Sequence, residues 1–205
     1  MSDAVIWSLV ISALAVVTVR RRSVAIALVA AQSLILGAAA ISEAAGESTA
    51  LAVAGTALLA KAVVLPVLLL SVVNRTREAR SLASERHPLA RLTIALAAAL
   101  ALVALVPRFG LETAAAEHAA IGLVALGIAT AVVRGAAIFA ALGFLMAENG
   151  LYLAALAAPG GLPVFIELGL VFDLMVIVCV AGAFSAKIHE ELGTSDTTLL
   201  EALRD

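Results

Sequence analysis

Apolar residues fall into seven long runs with short polar punctuation between them, at roughly residues 4–19, 23–44, 49–73, 91–107, 117–133, 135–158 and 162–187. A helix needs about 20 apolar residues to cross the hydrocarbon core of a bilayer, so each run reads as a transmembrane helix. Unequal run lengths fit tilted helices in a bundle. Ala, Val and Leu dominate the runs, and Ala and Gly on helix faces let backbones approach closely. The pattern therefore predicts an all-α integral membrane bundle of about seven transmembrane helices.

The punctuation sets the orientation. Arg20, Arg21 and Arg22 follow the first run, Arg75, Arg77, Arg80, Arg86 and Arg91 lie between the third and fourth, Arg134 between the fifth and sixth, and Lys187 and Arg204 follow the seventh. In a seven-span arrangement all of these share one side. The other side receives Arg108 beside Glu43, Glu47, Glu112 and Glu117. Basic loops stay in the cytoplasm, which predicts the N-terminus outside and the C-terminus inside. The first residues, Met-Ser-Asp, lack the basic region of a cleaved signal peptide, so the first run is expected to be a retained span.

Composition agrees with the pattern. The 205 residues are 63% hydrophobic and 14% charged, with a mean hydropathy of +1.14, far from the roughly 45–50% apolar and 25% charged residues of a soluble domain. Aromatic residues are 4% of the chain, so interfacial belts are sparse. Cys179 is the single cysteine, which excludes an intrachain disulfide and a cysteine-based metal motif. His87, His118 and His189 lack metal-ligand spacing.

Four ionisable residues interrupt the runs. Lys61 is central in the third, Glu148 near the middle of the sixth and Asp173 near the middle of the seventh. Glu167 lies about 9 Å nearer the outer face than Asp173 at a rise of about 1.5 Å per residue. A charge at the bilayer centre costs about 2.5–3.5 kcal/mol or more, so such groups need a reason. One is helix glue, through buried polar pairs; the other is an ion or proton path. Pro66 follows Lys61 in the same run and supplies no N–H to the Ala62 carbonyl, which predicts a kink near the lysine. Glu148-Asn149-Gly150 gathers a carboxylate, an amide and a backbone gap, and Asn149 needs a partner helix or water.

The first three runs look like a worn, parallel copy of the last three. Val19-Arg20 matches Val133-Arg134, Ala31-Gln32-Ser33 matches Ala147-Glu148-Asn149, and Lys61 aligns with Asp173. Gln32 is thereby paired with Glu148. The expected organisation is an N-terminal three-helix half (1–73), a cytoplasmic loop (74–91), a linking helix (92–107), a C-terminal three-helix half (108–188) and a cytoplasmic tail (189–205). The loop arginines can meet anionic lipid head groups or a cytoplasmic subunit, or serve only as charges that retain the loop in the cytoplasm.

With Glu148-Asn149-Gly150, Glu167-Leu168-Gly169, Asp173, the Lys61-to-Pro66 segment and the closing Gly193-Thr194-Ser195-Asp196, the chain resembles the E component of hydrogenase-4-type complexes. These are membrane-bound group 4 NiFe hydrogenases and formate hydrogenlyases, relatives of respiratory complex I. The last three runs are also similar to the K subunit of complex I and the C subunit of Mrp-type antiporters. Glu148 matches the first of two proton-transfer glutamates of the K subunit. Asp173 stands near the second, shifted by two residues and one carbon shorter.

The resemblance implies a non-redox, non-catalytic subunit of an oxidoreductase complex in a bacterial or archaeal cytoplasmic membrane. No cofactor or metal is expected in this chain. Glu148, Asp173, Lys61 and Glu167 would line a proton or sodium path, with Gln32, Asn149 and Pro66 in support, and Glu148, Asp173 and Lys61, all near the bilayer centre, are expected to approach one another directly or through water. The implied partners are antiporter-like and hydrogenase-proximal membrane subunits, lipid, and the hydrogenase catalytic subunits of the same complex, with no nucleic acid. A subunit of an Mrp-type antiporter and a purely structural adaptor are the alternatives. Cysteine labelling should place the 43–48 and 108–116 loops on the face opposite the 74–91 loop; labelling of both sets from one face would exclude the seven-span arrangement.

Overall fold

A computed structural model describes residues 2–43, 49–75, 88–134 and 137–159. Among these residues there are six helices and no strands: α1 (Asp3–Thr18), α2 (Arg22–Glu43), α3 (Thr49–Arg75), α4 (Pro88–Leu105), α5 (Ala114–Val133) and α6 (Ala137–Leu156). α2, α4, α5 and α6 are each long and apolar enough to cross a membrane. The seventh run, with Glu167, Asp173 and the tail, lies outside the described residues.

Local chemistry explains the helix ends. Pro88 opens α4, where its fixed φ suits the first turn and its missing N–H costs nothing. Thr113 caps α5 in extended backbone, its hydroxyl accepting from the Ala116 N–H at 3.2 Å. Within the helices, Ser8, Ser12, Thr18 and Thr130 return their hydroxyls to carbonyls three or four residues back. Each thereby satisfies itself in apolar surroundings.

α6 is the centre of the bundle: 78% of its spanning window is buried, against 17% for the peripheral α4. A helix apolar on every side belongs inside a bundle, and α6 is one. Its closest neighbour is α5, and glycines set that distance. A Cβ on Gly127 would collide with the Gly143 carbonyl, and one on Gly143 would lie 2.8 Å from the Ala131 nitrogen. Gly150 faces the Ala120 carbonyl in the same way, at 2.7 Å. Gly37 and Gly55 bring α2 against α3, where a Cβ on Gly55 would lie 3.0 Å from the Gly37 carbonyl. Small residues at the interface replace the hydrophobic drive that lipid removes. Trp7, Ile11, Val63, Val64, Val67, Leu100 and Val132 point outward, as side chains facing hydrocarbon do.

Short connections and cross-helix bonds define two ends of the bundle. Arg134, after α5, reaches the carbonyls that close α1, so the C-termini of α1 and α5 share an end. The Glu112 N–H donates to the Ala157 carbonyl at 2.9 Å, joining the start of α5 to the finish of α6 at the other end. Arg20, Arg22, Arg91 and Arg134 thus gather at one end, and Glu43, Arg108, Glu112 and Glu117 at the other. α5 and α6 repeat the directions of α1 and α2.

Three positions differ from the sequence reading. Arg91 belongs to the first turn of α4 and is buried, not part of a solvated loop. Arg134 is also buried. α5 begins before Glu117, which lies inside its first turn at 3% exposure and accepts from the Phe109 and Leu111 N–H groups at 3.0 and 3.4 Å. A run defined by hydropathy stops at a charge; a helix continues where the charge finds backbone donors. The glycine contacts predict that Gly143→Leu, by overpacking, will destabilise the bundle by about 1–3 kcal/mol or more. Thermal unfolding in detergent should show this, with Val132→Ala on the outer face nearly neutral.

Candidate functional site

Midway along α3, a buried lysine meets a buried glutamate from midway along α6. Lys61 Nζ lies 2.5 Å from Glu148 Oε2, with the two side chains 8% and 0% exposed. The lysine stem spans between the helices, and its ammonium also stands over the Tyr152 ring, 5.2 Å from the centroid. Tyr152 follows Glu148 by one helical turn, on the same face of α6. An ammonium over an aromatic face gains cation–π attraction, which grows as water is excluded.

The next residue of α6 anchors a second polar group. Asn149 accepts from Ser33 Oγ at 3.1 Å and donates to Gln32 Oε1 at 3.3 Å. Gln32 Nε2 donates in turn to Ser12 Oγ at 3.0 Å and to the Leu9 carbonyl at 3.1 Å. Ser12 donates to that same carbonyl at 2.9 Å. One chain of hydrogen bonds thus joins α1, α2 and α6 at one depth, and both amide protons of Gln32 are used. Buried polar groups satisfied in this way fix register between helices.

α3 continues through Pro66, one turn beyond Lys61. Beside both, α2, α3 and α6 line a half-open cavity of about 10 Å³, walled by Ile26, Ser33, Ala62, Leu65 and Leu142 among others. Away from these groups, Arg134 donates from one nitrogen to the carbonyls of Val16 and Val17 at 3.4 Å and of Val19 at 2.5 Å. Its guanidinium stacks 3.4 Å from the Phe139 ring centroid. A cation among the last carbonyls of a helix satisfies orphan acceptors and complements the helix dipole.

Of the residues the sequence singled out, Lys61 and Glu148 are in direct contact, and Gln32 and Asn149 are bonded to each other one residue away. Pro66 borders the cavity at Lys61. Glu167 and Asp173 lie outside the described residues. Ser12 and Tyr152 escaped the sequence reading, and Ser33 entered it only through the repeat alignment, opposite the Asn149 it bonds. Tyr152 was signalled by its four-residue spacing from Glu148, and Ser33 by its place beside Gln32. Among the described residues no group of three or more His, Cys, Asp or Glu side chains could hold a metal.

Four helices long and apolar enough to cross a membrane, in a bundle that buries an ion pair between α3 and α6, define a multi-pass helical membrane protein. No protein-family model matches the chain, and no solved structure matches it. It is 33% identical over 165 residues to the uncharacterized protein Rv0085 of Mycobacterium tuberculosis, an alignment covering 76% of this chain and 74% of that protein. The chain belongs to the same family as that mycobacterial protein.

Breaking a buried pair by removing one partner costs about 3–5 kcal/mol, whereas replacing both by apolar side chains is often neutral. Lys61→Met alone should therefore lower thermal stability by that order, and Lys61→Met/Glu148→Leu should restore most of the loss. Simply additive losses would show that the two side chains do not act as partners.

Proposed function

We propose that this chain is a non-redox membrane-arm subunit of a hydrogenase-4-like, complex I-related assembly, and that Lys61 and Glu148 form one segment of its proton or sodium path. The observation that carries the reading is the Lys61–Glu148 pair, two groups of opposite charge in contact at the middle of their helices with a small cavity beside them. Charged groups at this depth are costly, and they recur where ions or protons cross. The resemblance of Lys61 through Pro66 and of Glu148-Asn149-Gly150 to the E component of such complexes supplies the rest.

In this reading the chain has seven spans with the N-terminus outside, and it lies in a bacterial or archaeal cytoplasmic membrane. Asp173 extends the path from the seventh span, and Glu167 lies nearer its outer end. A proton moves by passing between Lys61 Nζ and the Glu148 carboxylate: an N–H bond breaks, an O–H bond forms, and the pair changes from two charges to none. The neutral pair attracts neighbouring charges differently, which biases the next transfer along the arm. Gln32 and Asn149 exchange no protons in this scheme; their bonds hold α6 and so fix where Glu148 stands.

The test is Glu148→Gln, which keeps the shape and a hydrogen-bond acceptor for Lys61 but carries no transferable carboxyl proton. The complex should assemble and retain dye-linked hydrogenase activity, while ion movement coupled to it in sealed vesicles is lost. Full coupled activity would remove the path from Glu148 and leave the structural adaptor. Copurification of a NiFe large subunit separates the hydrogenase-type assembly from an Mrp-type antiporter, which has none.

A further inference from the structure

We infer that Tyr152 is a positioning residue for the Lys61–Glu148 pair: its ring holds the lysine nitrogen beside the carboxylate while that nitrogen is charged, and releases it once the proton has crossed. The holding stands on geometry; the release rests on the function proposed above.

Tyr152 is the one tyrosine of the chain. A tyrosine in a membrane protein is typically placed at the interface, its ring in the head-group belt and its hydroxyl near water. This one is 4% exposed and lies inside the bundle. Its spacing of four residues from Glu148 puts the ring and the carboxylate on one face of α6, about 6 Å apart along the axis. The ammonium that reaches across from α3 meets both, 2.5 Å from Glu148 Oε2 and 5.2 Å from the ring centroid.

A lysine needs such a second contact. It reaches its partner on a flexible four-carbon stem and presents a point charge, without the fork geometry that orients an arginine. The carboxylate alone fixes a distance. An attraction from a second point on the same helix face fixes the place. All three side chains are withdrawn from water, where cation–π attraction is strongest, on the order of tenfold or more in an equilibrium. That attraction belongs to the charge: the negative face of the ring draws an ammonium and has no comparable hold on a neutral amine. When Lys61 gives its proton to Glu148, an N–H bond breaks and an O–H bond forms. The nitrogen then loses its attraction to the carboxylate and to the ring in the same step. The neutral amine is free to turn on its stem toward the next proton donor, and regaining a proton returns it to the ring.

Ring fluorination tests this, because fluorine drains the negative face of an aromatic ring and leaves its shape nearly unchanged. Tyr152→Phe and its mono-, di- and trifluorinated forms are made in the full chain. The unfolding temperature should fall stepwise along the series in the otherwise native protein. It should stay level in a Lys61→Met/Glu148→Leu background, which fills the site and holds no cation. A series level in both, or falling equally in both, overturns the inference. Coupled ion movement in sealed vesicles is the second readout. Tyr152→Phe should retain it within about twofold, while the trifluorinated form and Tyr152→Leu slow it on the order of tenfold. Unchanged ion movement along the series, with Glu148→Gln uncoupled, overturns the role of the ring on the path. A stepwise fall in stability confined to the native pair, with Glu148→Gln fully coupled, keeps Tyr152 as the holder of the lysine and discards the transport reading.

Discussion

Lys61 and Glu148 each require the other, and much of the bundle is arranged around that requirement. Neither could stay charged alone at mid-depth without losing several kcal/mol to desolvation. Together at 2.5 Å they form a neutral dipole that the bundle can enclose. Enclosure then dictates the rest: α3 and α6 must hold a fixed register, α6 must lie inside, and every polar group near the pair must find a partner. The Asn149–Gln32–Ser12 chain meets that last condition on the side of α6 facing α1 and α2. The Tyr152 ring stands over the ammonium on the side toward the start of α5.

Two kinds of contact share this work. Glycines bring backbones together where no polar group is needed, as at Gly127 with Gly143 and at Gly37 with Gly55. Amides and hydroxyls join helices at the depth of the ion pair, where the register must be held to within a residue. α2 combines both: Gln32 reaches α1 and α6, Ser33 reaches α6, and Gly37 lies against α3. Among the described residues the charged groups are thus closely packed, with a small cavity beside Pro66.

Much of this was legible in the sequence because a membrane allows few solutions. Runs of about 20 apolar residues gave the helices with edges within a few positions, and counting along them gave the depth of Lys61 and Glu148. That Lys61 and Glu148 approach one another was expected from their shared depth, and they do; which faces of α3 and α6 meet was not legible, since it depends on how the helices rotate about their axes, and long Ala-rich stretches carry little rotational information. Arg91, Arg134 and Glu117 were placed at the edges of or between runs because hydropathy treats a charge as the end of a span. Each is buried at a helix terminus. For Arg134 and Glu117 the partners are backbone groups, which any sequence provides and none advertises.

Arg134 also bears on how the protein is made. It completes the last carbonyls of α1 from 115 residues further along the chain. As the polypeptide leaves the ribosome, α1 enters the bilayer with that end still open, and only the membrane–water interface can serve its acceptors. α2, α3, α4 and α5 must all be made before the guanidinium can reach that end. The final fastening of the first helix is therefore a late event in biogenesis.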